Sequence, residues 1–257
     1  PRGEVIHDFE YNDAWYPATD GFGFSLEIRD ANGPLTAWNE ASGWRASRQA
    51  GGSPGVDNGA DAGIPAILVN AALTHTDAPN VDSIELYNPY PTNVNVGGWF
   101  LSDDFRTPKY RIPNQAVIQA NDYLVFDESQ FNVPGASNAF NLRSSGDEVY
   151  LFSANLAGDL TGYIHGYDFG ASLNGISFGR YITSTGQEEF VAQEANSLED
   201  PNVGPRVGPI IISEIMYHPP DLKVGNRQLS NDRDEYIELH NLSNAAVPLY
   251  DPAAPTN

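Results

Sequence analysis

The chain has 257 residues, of which 40% are apolar and only 18% charged; 34 acidic residues against 13 basic ones give a formal net charge of −21. That balance supplies enough apolar matter for a core, and its length allows one or two domains. It excludes a basic stripe able to displace counterions from nucleic-acid phosphates, and it disfavours an anionic membrane surface. Without cysteine there are no disulfides, thiolate metal sites or cysteine nucleophiles. No apolar run is long enough to span a bilayer, so no membrane insertion is expected within this sequence.

In chain order, the first informative segments are Gly23-Phe24-Ser25-Leu26-Glu27 and Trp44-Arg45-Ala46-Ser47, short apolar runs set among turn residues. A small, polar stretch follows from Gly51 to Gly63 and reads as a linker. Ile67-Leu68-Val69 reads as a strand buried on both faces. In Ile84-Glu85-Leu86, period-two alternation turns Ile84 and Leu86 inward and Glu85 outward to a solvated face. Tyr123-Leu124-Val125-Phe126 is a strand bounded by polar residues, and Asp127 to Phe131 is the one modest helical candidate, about a turn long. Glu148 to Ser153 and Leu160 to His165 flank the turn Asn155 to Asp159, a hairpin signature. Asp200 to Pro209 is a second, stiffer linker, and Ile210-Ile211-Ile212 is another doubly buried strand.

These segments recur. Ile67-Leu68-Val69-Asn70 returns as Ile210-Ile211-Ile212-Ser213, and Ile84-Glu85-Leu86-Tyr87-Asn88 as Ile237-Glu238-Leu239-His240-Asn241, with a longer intervening loop the second time. Val5-Ile6-His7 returns as Tyr163-Ile164-His165. The period, about 150 residues, is that of a whole domain. The chain therefore reads as the end of one module (1–58), a complete module (64–205) and the start of another (208–257). Pro1 at the start and a last segment that stops inside a repeat point to a piece of a longer polypeptide. Partial modules leave unpaired edges, so limited proteolysis is expected to trim towards 64–205.

In order, Ile84 to Pro89, Gly98-Trp99-Phe100-Leu101-Ser102-Asp103, Tyr110-Arg111-Ile112-Pro113, Asp122 to Val125, Gly146 to Leu151 and Gly175 to Arg180 resemble the motifs of the lamin tail domain family. The resemblance covers the central module. It implies an all-β, immunoglobulin-like β-sandwich and a recognition or scaffold role, and it brings no catalytic apparatus. Asn202-Val203-Gly204-Pro205 departs from the family's closing Pro-Gly pattern, whereas Ser53-Pro54-Gly55 in the first segment keeps it.

Candidate chemistry is sparse. Asp103-Asp104, Asp127-Glu128 and Asp147-Glu148 lie at strand edges or turns, where calcium is the cation such loops would hold, with solvated turn carboxylates the plainer account. No cofactor other than calcium is indicated. The five histidines have no metal-ligating spacing. Gly-x-Ser-x-Gly, Ser-x-x-Lys and His-Glu-x-x-His are all missing from the sequence. Trp99 is expected to anchor the core. Trp15, Tyr16, Tyr87 and Tyr90 lie in loop-like segments and are the candidates for stacking on a sugar or a protein partner. The expectation is a non-catalytic structural, adhesion or interaction module of an exported or cell-surface protein, bacterial in type, whose partner is a protein or a polysaccharide. Alternatives are a carbohydrate-binding accessory module of a secreted enzyme, and a hydrolase with paired carboxylates.

Overall fold

The computed structural model describes residues 7–56 and 63–249; Val5 and Ile6 of the first repeat, and 57–62 of the expected linker, lie outside the described residues. Chain contacts define two units, divided between Pro205 and Arg206.

In the first unit, β1 (Leu26–Ile28) and β2 (Trp44–Ala46) pair antiparallel, following short 3-10 turns. The sandwich then begins with β3 (Leu68–Leu73), β4 (Ser83–Tyr87), β5 (Val94–Asn95), β6 (Phe100–Ser102), β7 (Tyr110–Arg111), β8 (Val117–Ile118) and β9 (Tyr123–Asp127). The expected single helical turn, α1 (Glu128–Phe131), starts at Asp127 in a capping box closed by Gln130. The expected hairpin is β10 (Asp147–Ala154) with β11 (Leu160–Phe169), and β12 (Ser177–Ile182) with β13 (Glu188–Ala192) completes the set.

One sheet has the order β13-β12-β3-β4-β9 and the other β11-β10-β6-β7, with antiparallel neighbours throughout. Alternation explains the core between them: Val69, Ala72, Ile84 and Leu86 point in from the first sheet, and Leu101, Val149 and Leu151 from the second. Trp99 is buried in this core, as the sequence implied. Gly98, at φ +85°, makes the turn before it, where a side chain would also strike the Asn155 carbonyl.

The second sheet buries its other face too. Phe152 and Ile164 form a second cluster with Ala18 and Phe24, so residues 7–56 pack on the sandwich and belong to its unit.

The second unit contains β14 (Ile210–Met216), β15 (Leu222–Val224), β16 (Arg227–Leu229) and β17 (Tyr236–Asn241). The lengthened loop of the repeat folds on itself as the β15/β16 hairpin. β14 pairs with β17 as β3 pairs with β4: Ile212↔Leu239 stands where Val69↔Leu86 stands, and Ile215↔Ile237 where Ala72↔Ile84 stands. Both pairs carry a bulge, between Ile212 and Glu214 and between Val69 and Ala71. β1/β2 likewise has the register of β12/β13, with Leu26↔Ala46 matching Phe178↔Ala192.

Burial differs sharply between the matched pairs. Val69, Ala72, Ile84 and Leu86 are each 0% exposed, but Ile212, Ile215, Ile237 and Leu239 are 57, 56, 62 and 48% exposed. The expectation that Ile210 to Ile212 is buried on both faces is thus corrected: among the described residues β14 has β17 alone as a sheet neighbour, and no second sheet covers it.

Candidate functional site

Glu85 is the largest departure from the sequence reading. Its side chain does lie opposite Ile84 and Leu86, but that face is covered and Glu85 is 0% exposed. The bulge in β3 turns Asn70 towards it, and Asn70 Nδ2 donates to Glu85 Oε1 at 2.7 Å. The Glu199 N–H donates to Oε2. Asn202 then ties the closing segment to both strands, donating to the Asn70 carbonyl at 3.2 Å and the Arg180 carbonyl at 2.9 Å. Buried Gln193 donates to the Gly179 carbonyl at 3.2 Å and accepts from the Gly204 N–H at 2.8 Å. Gly179 permits this approach, since a side chain there would meet Asn202 and Gln193 at 2.8 Å. Burial pushes the Glu85 carboxyl up to about 7, against the pull of the Glu199 and Asn70 hydrogen bonds and helped by the charges of Glu199 and Asp200. Period-two alternation identifies a face of a strand; it does not tell whether a distant loop will lie on it.

A second polar group joins the two sheets at their edge. His165 on β11 accepts the Val69 N–H at its Nδ1 (3.0 Å), beside the β3 bulge. The proton therefore sits on Nε2, which meets Glu188 Oε1 at 3.2 Å. Tyr167 also donates to Glu188, and Arg180 Nε lies 2.9 Å from its other oxygen. Burial alone would raise the Glu188 carboxyl, but these donors and the Arg180 charge outweigh it and bring it down to about 2. His75 does not join the group; its Nδ1 faces the Ser172 carbonyl at 3.0 Å. With both ring nitrogens of His165 engaged, the arrangement fixes β11 to β3 and β13 and leaves no free base.

Of the residues expected to bind a ligand, Tyr16 and Tyr90 are brought together, lining a cavity of about 330 Å³ with Tyr163. Their hydroxyls serve the fold: Tyr16 donates to the Ala41 and Trp44 carbonyls at 3.0 and 2.8 Å, and Tyr90 accepts the Ala66 N–H at 3.0 Å. Tyr87 is elsewhere, its ring 4.9 Å from that of Tyr123 on the neighbouring strand. Trp15, half-buried, ends a 3-10 turn capped by Asn12.

Each acidic candidate has a local structural partner. Asp103 pairs with Lys109, and Asp104 accepts the Arg106 N–H at 2.8 Å. Asp127 caps α1, and Asp147 accepts from the Arg143 backbone at 2.9 Å and its guanidinium at 3.1 Å. Among the described residues no group of three or more His, Asp or Glu side chains is placed to hold a metal ion, and no helix is long and apolar enough to cross a membrane.

Two antiparallel sheets packed around a core, with polar clusters that hold strands together, define an immunoglobulin-like β-sandwich. Residues 42–165 match the family model LTD, the Lamin Tail Domain, a family of immunoglobulin-like, non-enzymatic modules. The match runs from just before β2 into β11 and stops short of β12 and β13. No curated protein and no solved structure matches the chain.

Proposed function

We propose that this is a non-catalytic structural and interaction module of a larger exported or cell-surface protein, in which lamin-tail-like sandwiches follow one another in tandem. The observation that carries the reading is the equivalence of β14/β17 to β3/β4, which extends to side chains. The bulge residue donates to the strand glutamate in both: Asn70 to Glu85 at 2.7 Å, and Ser213 to Glu238 at 2.6 Å. The asparagine at the close of the second strand, just past β4 in one copy and the last residue of β17 in the other, donates to the carbonyl four residues on in both: Asn88 to Thr92 at 2.8 Å, and Asn241 to Ala245 at 2.7 Å. The same strand pair, one copy inside a finished core and one bare, is what the opening of a further sandwich looks like. The carboxylates with the largest shifts, Glu85 and Glu188, are engaged by separate structural partners, which speaks against the paired-carboxylate hydrolase. An acidic, lysine-poor surface suits an exported protein and keeps neighbouring sandwiches apart at low salt.

The test is a chimera in which residues 209–241 replace 66–88 of the sandwich, leading into 89–205. If the strand pairs are equivalent, it unfolds in one cooperative transition with Trp99 buried. Ile215 standing where Ala72 stood is expected to cost about 1–3 kcal/mol by overpacking. Ile215→Ala in the chimera should recover most of that. Glu214 would likewise replace Ala71, which is fully buried beside Glu85, so a chimera that shows no cooperative transition even with Glu214→Ala and Ile215→Ala together contradicts the tandem reading.

A further inference from the structure

The N-terminal segment holds a cavity of about 440 Å³, lined by Phe9, Phe24 and Trp44, with Tyr11, Asp13 and Asp20 among its other walls. Phe24 and Trp44 are buried, and the Phe9 ring lies 5.5 Å from Trp44, so these side walls are aromatic and fixed by packing. Tyr11 is 67% exposed and offers an open ring. A neighbouring cavity of about 340 Å³, lined by Phe105, Tyr150 and Ile164, shares Asp13 and Asp20. Asp13 and Asp20 thus border both hollows. Neither makes a hydrogen bond or ion pair with any described residue, in contrast to the four acidic candidates taken from the sequence. No lysine, arginine or histidine lines either cavity.

We propose that this pair of hollows binds an organic cation, a guanidinium or ammonium group on an apolar stem, with Asp13 and Asp20 facing the charge and the aromatic side chains receiving the stem. Aromatic faces attract cations through their quadrupole and bury hydrocarbon at the same time, and a carboxylate at the same spot adds the opposite charge. Two negative charges beside aromatic walls attract a cation and give a neutral sugar no such gain, which is why the walls favour a cation. Either an arginine or lysine side chain of a protein partner or a free amine has this chemistry. The inference does not depend on how many sandwiches the protein carries.

The experiment is an NMR titration of the full chain with acetyl-arginine amide, with phenethylammonium and, as neutral comparators, with acetyl-citrulline amide and cellobiose. The expected result is saturable shifts confined to the amides of residues 9–26 and 44 and their neighbours, with citrulline at least about tenfold weaker than arginine. The double variant Asp13→Asn, Asp20→Asn, at exposed positions that should leave the melting temperature unchanged, weakens binding at least about tenfold. Tyr11→Ala weakens it about threefold. Tighter binding of acetyl-arginine amide points to a protein side chain as the source, and tighter phenethylammonium binding to a free amine. The proposal is overturned by shifts that spread over the acidic surface without saturating, by equal binding to the double variant, or by citrulline or cellobiose binding as well as the cations.

Discussion

Replacing Glu85 by glutamine is expected to remove most of the pH dependence of the sandwich's stability between pH 5 and pH 8. The Glu85 carboxyl is raised to about 7 in the folded protein from an ordinary value of 4.5. Folding therefore takes up a proton between those values. The stabilisation it represents is full below about pH 4.5, declines as pH rises towards 7 and is gone above it. A shift of that size corresponds to about 3 kcal/mol. The groups facing Glu85 agree in sign: Glu199 and Asp200 from the closing segment are acidic, and Tyr123 on the adjoining strand is neutral in this range. Glu188 acts in a separate window. Lowered to about 2, it gives stability that is present above pH 4.5 and lost as pH falls through 2. The contributions of these two groups are both fully present only near pH 4.5. Urea unfolding of the wild type and Glu85→Gln at pH 5, 6, 7 and 8 checks this. A wild-type stability that rises from pH 5 to pH 8, or an unchanged slope in the variant, contradicts it.

Phe152→Ala is expected to cost about 3–5 kcal/mol, the usual range for deleting a fully buried aromatic side chain. Phe152 is 0% exposed and lies on the face of β10 opposite Leu151, joining Phe24 and Ala18 in the second cluster, with the Phe22 ring 5.5 Å away. Its loss empties the contact that holds residues 7–56 to the sandwich, while the core around Trp99 keeps all its members. Trypsin should therefore leave Arg29, Arg45 and Arg48 largely uncut in the wild type and cleave at them in the variant, trimming it to Gln49. Equal digestion of the two proteins would show that Phe152 does not anchor the segment.

Much of the fold was legible because its signals are local. Tyr123 to Phe126, the β10/β11 hairpin, the single turn at Asp127 and the core position of Trp99 follow from alternation, turn residues and capping. The ordered motifs pointed to a lamin tail domain resemblance, and the family model matches residues 42–165, which hold those from Ile84 to Leu151. What stayed hidden depends on contacts between residues far apart in sequence. Glu85 accepts from the Glu199 N–H and Asn202 bonds its partner Asn70, both more than a hundred residues away in sequence, which no window of sequence contains. In sequence Ile210 to Ile212 of β14 look as buried as Ile67 to Val69 around the start of β3, because composition cannot reveal that no second sheet covers β14 among the described residues. Tyr16 and Tyr90 were singled out as candidates for stacking on a ligand, and their hydroxyls serve backbone groups. Asp13, Asp20 and Phe9 were passed over, since only the folded first segment sets them around one cavity.

The most direct test of the tandem-sandwich account is amide hydrogen exchange across the full chain. A two-stranded pair without a covered face is marginal in water, whereas the same pair inside a finished sandwich opens only with the whole unit. The account predicts that β3 and β4 exchange at least about a thousandfold more slowly, relative to their intrinsic rates, than the matched amides of β14 and β17. Matched protection in the two strand pairs would mean that residues 206–249 are a finished structure, and would contradict the reading of them as the opening of a further sandwich.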